Sequence, residues 1–175
     1  MTIKKLYYYF FYKIYRFVQY ISAPFGEFLN NFKAGLVLIV LQIWTFISII
    51  NYYSLITGNK VELSFSTPIL YIPFIIILGV NYYTLDYIDI WKNYNREFDQ
   101  LPEKKNRIGS WIVFLVVIIS ITNFIYSFYC LDQRAKKDQT GPYAPEIVAK
   151  KRMQDSLQKA QQIEKLKKIY GEDKK

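Results

Sequence analysis

The sequence contains no histidine and one cysteine, Cys130. The missing imidazole removes Ser-His-Asp triads, His general bases and His-bearing metal sites. A lone thiol allows neither an intramolecular disulfide nor a Cys-cluster metal or iron–sulfur centre. The seven glycines lie far apart, at 26, 35, 58, 79, 109, 141 and 171. That spacing excludes a Gly-rich phosphate loop. Charged residues are also scarce over long stretches. Residues 34–59, 63–85 and 108–131 hold no Asp, Glu, Lys or Arg, which places 73 of the 175 residues in three charge-free blocks. No catalytic residue, metal ligand or cofactor-binding residue is expected.

What is present is apolar and aromatic. Hydrophobic residues make up 52% of the chain, with 17 Tyr and 13 Phe. A bilayer core about 30 Å thick takes about 20 apolar helical residues to cross. The three blocks therefore predict an all-α integral membrane protein with spans at about 34–56, 65–85 and 109–131. In the last span, thirteen residues from Ile112 to Leu131 are Ile, Val, Leu or Phe. At helix-centre values they contribute at most about −4 to −8 kcal/mol toward insertion. Pro68 suits a first helical turn, Pro73 predicts a kink, and Thr57-Gly58-Asn59 predicts a helix end.

Residues 1–22 are not expected to be a signal peptide, since Lys13 and Arg16 interrupt the apolar stretch and no A-x-A-like site follows. At 100° per residue, Ile3, Leu6, Tyr7, Phe10, Phe11, Ile14, Phe17, Val18 and Ile21 gather on one side, opposite Lys5, Lys13, Arg16 and Gln19. That pattern predicts an amphipathic helix lying in the membrane interface. Lys5, Tyr9, Tyr12, Lys13 and Arg16 are expected at headgroup depth, beside anionic lipid. Packing on another protein is the alternative. Ser22-Ala23-Pro24-Phe25-Gly26 breaks the helix.

Tyr87, Trp91, Tyr94, Phe98 and Leu101 recur at steps of 4, 3, 4 and 3. This predicts the second span continuing out of the membrane as a helix with one aromatic seam, ended by Pro102. Glu103-Lys104-Lys105-Asn106-Arg107 is expected as a basic turn before the third span. The tail, 132–175, carries a linker at Gly141-Pro142 and a helix at about 145–170. Its apolar residues Met153, Leu157, Ala160, Ile163, Leu166 and Tyr170 drift around the axis, which excludes a long coiled coil. The tail helix reads equally as a short partner-docking helix or as a solvated, frayed one. Trp91, Tyr94, Phe98 and Arg107 in the loop, with Met153, Leu157 and Leu166 in the tail, are the expected partner-binding residues.

Inside the spans, Gln42, Thr45, Ser48 and Asn51 recur every third residue. Ser120, Asn123, Ser127 and Cys130 share one face, and the second span adds Asn81. Gln42, Ser48, Asn81, Ser120, Asn123 and Ser127 are expected to pack helix on helix, since small and amide side chains are the usual glue there. A solute path is the alternative, but a path for ions or protons normally shows an ionisable residue at depth, and none is present. Asp86-Tyr87-Ile88-Asp89 matches the D-x-x-D of CDP-alcohol phosphotransferases in its two acids alone. Ile90 stands where Gly is needed, so the stretch reads as a polar helix exit with an Asp89–Lys92 pair. Glu27 and Glu62 are isolated loop carboxylates.

Net charge is +9. No nucleic-acid-binding motif accompanies it, so lipid headgroups are the expected counter-surface and nucleic acid is not. Lys and Arg number 5 before span 1, 1 between spans 1 and 2, 5 between spans 2 and 3, and 12 in the tail. Weighted toward positions near the spans, this places the N-terminus and second loop in the cytoplasm and the tail outside.

The stretch from Asp89 to Phe114 contains Trp91-Lys92 and Phe98-Asp99-Gln100-Leu101-Pro102-Glu103-Lys104-Lys105-Asn106-Arg107-Ile108-Gly109. With the aromatic basic N-terminal helix and Ile125–Tyr129 at the end of the third span, it resembles a group of small bacterial multi-pass membrane proteins. The resemblance covers about residues 3–131 and implies architecture, with no activity attached. The expected function is non-enzymatic binding to another protein at a bacterial inner membrane. An immunity-type protein against a membrane-acting toxin is one form. An accessory subunit of a larger transport, respiratory or motor complex is a second, and a small oligomeric transporter a third. The sequence leaves the oligomeric state open.

Overall fold

The structure is a computed structural model that describes residues 2–25, 29–58, 68–87 and 90–171. It is helical, with no strand among the described residues. The expected features at Glu27, Lys60, Glu62, Asp89 and the start of span 2 at residues 65–67 lie outside them.

Among the described residues, six α-helices follow in order. They are α1 (Ile3–Ser22), α2 (Asn30–Thr57), α3 (Pro68–Asn81), α4 (Trp91–Asp99), α5 (Glu103–Lys137) and α6 (Pro145–Gly171). Three helical stretches, α2, α3 extended to Leu85, and α5, are long and apolar enough to cross a membrane. Gly58 closes α2 in the left-handed conformation at φ 76°, and its N–H bonds the Ser54 carbonyl. That cap needs a residue without a Cβ penalty, which is why Thr57-Gly58 stops the helix.

Two expectations change. The second span does not run on into α4 as a single helix. Tyr82–Tyr87 forms a π-helical turn instead, and α4 begins as a separate element at Trp91. Near this turn the Asn81 amide donates to the Ile77 carbonyl and the Thr84 hydroxyl to the Val80 carbonyl, both at 2.7 Å. Side chains that take up carbonyls one turn back compete with the backbone ladder. The basic segment 103–107 is not a turn either. It forms the first turns of α5, with the Asn106 N–H on the Pro102 carbonyl at 3.0 Å and Glu103 at the positive helix end.

The contacts divide the chain into two units, Met1–Phe128 and Tyr129–Lys175. In the first, the core gathers Tyr8, Phe11, Tyr12 and Ile14 of α1, Ala34, Leu38 and Leu41 of α2, Leu85, and Trp91 and Phe98 of α4. In the second, Asp132 accepts from Lys136 at 2.9 Å and from the Tyr143 hydroxyl at 2.7 Å, tying the end of α5 to the turn before α6. Every residue of α6 from 149 to 170 is exposed.

Candidate functional site

The chain concentrates its specific contacts in two places. One is a clasp between α1 and α4. The other is a set of polar bridges among the apolar helices.

The clasp starts from the shortness of α4. Nine residues do not hold a helix in water unaided. Three of them, Trp91, Asn95 and Phe98, are buried. Steps of four and three put Trp91, Tyr94 and Phe98 on one face, and α1 meets that face with its own aromatics. Tyr94 stacks on Tyr8 with ring centroids 4.6 Å apart and planes 15° from parallel. Phe98, 1% exposed, points its edge at Tyr9 at 5.0 Å and lies 5.5 Å from Tyr12. Trp91 meets Phe11 edge-on at 5.5 Å and Tyr15 at 5.3 Å. Such pairs contribute about 0.5–1.5 kcal/mol each beyond the area they bury.

A polar rim surrounds these rings. Lys5 pairs with Glu97, and Arg16 with Asp99. The Tyr12 hydroxyl donates to Asp99 Oδ1 at 2.7 Å. The Lys13 ammonium donates to the Asn106 carbonyl at 2.8 Å and to its side-chain oxygen. Asn106 in turn donates to the Phe98 carbonyl at 3.2 Å, so the first turns of α5 join the clasp. Burial pushes the Asp99 carboxyl up. Hydrogen bonds from Arg16 and Tyr12, then the Arg16 and Lys13 charges, outweigh it and hold the group below the usual carboxylate range. Burial, then the Arg16 charge, lowers the Lys13 ammonium against an opposing pull from Asp99.

These contacts are made by residues expected at other surfaces. Lys5, Tyr9, Tyr12, Lys13 and Arg16, expected at lipid headgroups, each also have a partner within the chain. Trp91, Tyr94 and Phe98, expected to bind another protein, pack on α1. Periodicity identifies a sticky face but not the surface that covers it. α1 leaves Ile3, Leu6, Phe17, Tyr20 and Ile21 exposed, together with Lys4 and Arg16. Arg107 is exposed, as are Met153, Leu157 and Leu166 on α6.

The polar bridges cross between helices at three points. Asn81 Nδ2 donates to Gln42 Oε1 at 2.6 Å, joining α3 to α2. Asn51 Nδ2 donates to Ser127 Oγ at 3.0 Å, and the Tyr52 hydroxyl to Asn123 Oδ1 at 2.9 Å, joining α2 to α5. Trp44 stacks on Phe124 at 5.0 Å beside them. Of the six residues expected to pack between helices, Gln42, Asn81, Asn123 and Ser127 bond across. Ser48 is buried but donates to the Trp44 carbonyl of its own helix, and Ser120 to that of Val116. A serine hydroxyl reaches the carbonyl one turn back so readily that a polar face does not guarantee a cross-helix bond.

Asn51 belongs to the three-residue polar repeat read as helix packing, and it bonds across. The expectations missed Tyr52, Tyr7 and Thr84 as bridging residues. The Tyr7 hydroxyl donates to Asn81 Oδ1 at 2.9 Å and lies 3.0 Å from Thr84 Oγ1, a contact that no helical spacing announces.

Among the described residues no group of three or more His, Cys, Asp or Glu side chains could hold a metal ion. Comparison with protein-family models, curated proteins and solved structures finds no match to this chain.

Proposed function

We propose that the chain is a non-enzymatic multi-pass protein of a bacterial inner membrane that acts by binding another protein through α6. One observation carries this reading. Residues 149–170 form an exposed helical stretch that keeps Met153 66%, Leu157 53% and Leu166 52% exposed. Helices in proteins draw most of their stability from packing an apolar face. The clasp has consumed the loop aromatics, which leaves α6, with Arg107, as the surface for a partner. The exposed stripe of Ile3, Leu6, Phe17 and Ile21 supports contact of α1 with lipid.

The partner is a membrane-acting toxin, which makes this an immunity-type protein. The competing form is an accessory subunit of a larger inner-membrane complex. Basic residues near the spans favour a cytoplasmic N-terminus and second loop with an outward tail. The pairing of Gln42, Asn51, Asn81, Asn123 and Ser127 with one another and with tyrosines argues for helix packing over a polar solute path.

The test is affinity capture of the tagged full-length chain in mild detergent, beside a Leu157→Asp, Leu166→Asp variant. A partner held by the parent and lost by the variant supports the reading. A toxin as that partner selects the immunity form, and a stoichiometric large complex selects the subunit form. Equal capture by both chains would remove α6 from the proposal.

A further inference from the structure

Two apolar clefts lie along the seam between α2 and α3. One encloses about 220 Å³ between Phe32, Leu36 and Ile39 of α2 and Leu78, Tyr82 and Leu85 at the α3 end. The other encloses about 280 Å³ between Ile43, Phe46 and Ile47 of α2 and Leu70, Phe74 and Ile77 of α3. Numbers rise along α2 as they fall along α3, so the two helices run antiparallel. The Gln42–Asn81 bridge stands between the clefts. The wall residues on α2 run from Asn31 to Ile47, 16 steps along the helix. At 1.5 Å per residue that is about 24 Å, against a bilayer core of about 30 Å.

We infer that acyl chains of membrane phospholipids occupy these clefts, one on each side of the bridge. The walls are mainly bulky aliphatic and aromatic side chains, with Gly35 the one small residue and Asn31 and Asn81 the two amides among them. A third helix in a membrane needs small residues for close approach or free polar groups for hydrogen bonds. The seam offers neither in useful number. The bridge engages both polar atoms of Asn81 and the oxygen of Gln42: Gln42 Oε1 accepts from Asn81, whose own oxygen accepts from Tyr7 and whose nitrogen also donates to the Ile77 carbonyl. An unbranched chain with free rotation fits a narrow irregular cleft where a cylinder about 10 Å across does not. An unfilled cleft would forfeit the dispersion contacts of its walls, and acyl chains are the apolar material that surrounds such helices.

The experiment is native mass spectrometry of the full-length chain after exhaustive exchange into mild detergent. The parent is expected to keep phospholipid-mass adducts. Ile47→Trp, filling the larger cleft, and Ile39→Trp, filling the smaller, are each expected to lose an adduct. Ile119→Trp, on an exposed face of α5, is expected to keep the full set. Gel filtration and melting temperature report whether each variant folds. If neither cleft variant folds, a phospholipid with a photoactivatable acyl chain decides on the parent protein, with labelling expected at 43–47 above that at 115–119. The inference is overturned by a parent free of lipid, by folded cleft variants that keep every adduct, or by no excess label at 43–47. It is also overturned by a disulfide between two copies of an Ile47→Cys, Cys130→Ser variant, which would put a second chain in the cleft.

Discussion

The Tyr7 hydroxyl and Asn81 Oδ1 meet at 2.9 Å, 74 residues apart in sequence. Through Asn81, which is 1% exposed, the contact extends to Gln42. One buried amide thus joins the N-terminal helix to the first two apolar helices. The contact adds to the burial of Tyr8, Phe11, Tyr12 and Ile14 in holding α1 against the bundle.

Asn81→Leu is expected to destabilise the protein by about 1–3 kcal/mol, because Gln42 Oε1 and the Tyr7 hydroxyl lose a buried partner. The double variant Asn81→Leu, Gln42→Leu should recover part of the loss. Reversible denaturation in detergent measures both. A neutral Asn81→Leu would mean the bridge contributes nothing.

Gly109 on α5 lies under Tyr9. A Cβ built there falls 2.6 Å from Tyr9 Cζ, closer than any real contact. Gly109→Ala should therefore lower the melting temperature, by an overpacking penalty of about 1–3 kcal/mol. Tyr9→Ser in the same chain should relieve it. A Gly109→Ala chain as stable as the parent would show that Tyr9 can move aside freely.

Phe98→Ala removes the most enclosed ring of α4 and should cost about 3–5 kcal/mol. Trp91 fluorescence, isolated by replacing Trp44 and Trp111 with Phe, should shift to the red as α4 loosens. Leu157→Ala on α6 should change stability by no more than about 0.5 kcal/mol, as a surface substitution does.

Acid should loosen the clasp before the apolar helices. Asp99 has a folded-state value below its ordinary 3.8. Its contribution is therefore present above the unfolded value and lost as pH falls through the folded one. Melting temperature should drop below about pH 4 in the parent, and Asp99→Asn should flatten that slope. With the carboxyl 39% exposed, solvent screening keeps the effect modest. A slope identical in both chains would assign the acid response to other carboxylates.

Much of the fold is legible in residue order. The three charge-free blocks mark α2, α3 and α5, because burying a charge in hydrocarbon costs enough to keep such residues out. Gly58 and Pro102 mark ends, because backbone conformation is a local property. Asn81, Gln42, Asn123 and Ser127 stand out as polar residues in apolar surroundings, and they do bond across helices. The break of α3 into a π-turn at Tyr82 was not legible, since it depends on which carbonyls the Asn81 and Thr84 side chains reach.

By itself the sequence determined that this is a helical chain with three membrane-length segments, two further aromatic or basic helices, and no histidine chemistry. Those properties follow from composition and period. Only the tertiary structure decided that the aromatic face of α1 and the seam of α4 cover each other. A hydrophobic period states that a face will be buried, while the identity of its cover depends on residues such as Tyr8 and Tyr94, 86 positions apart, arriving at 4.6 Å.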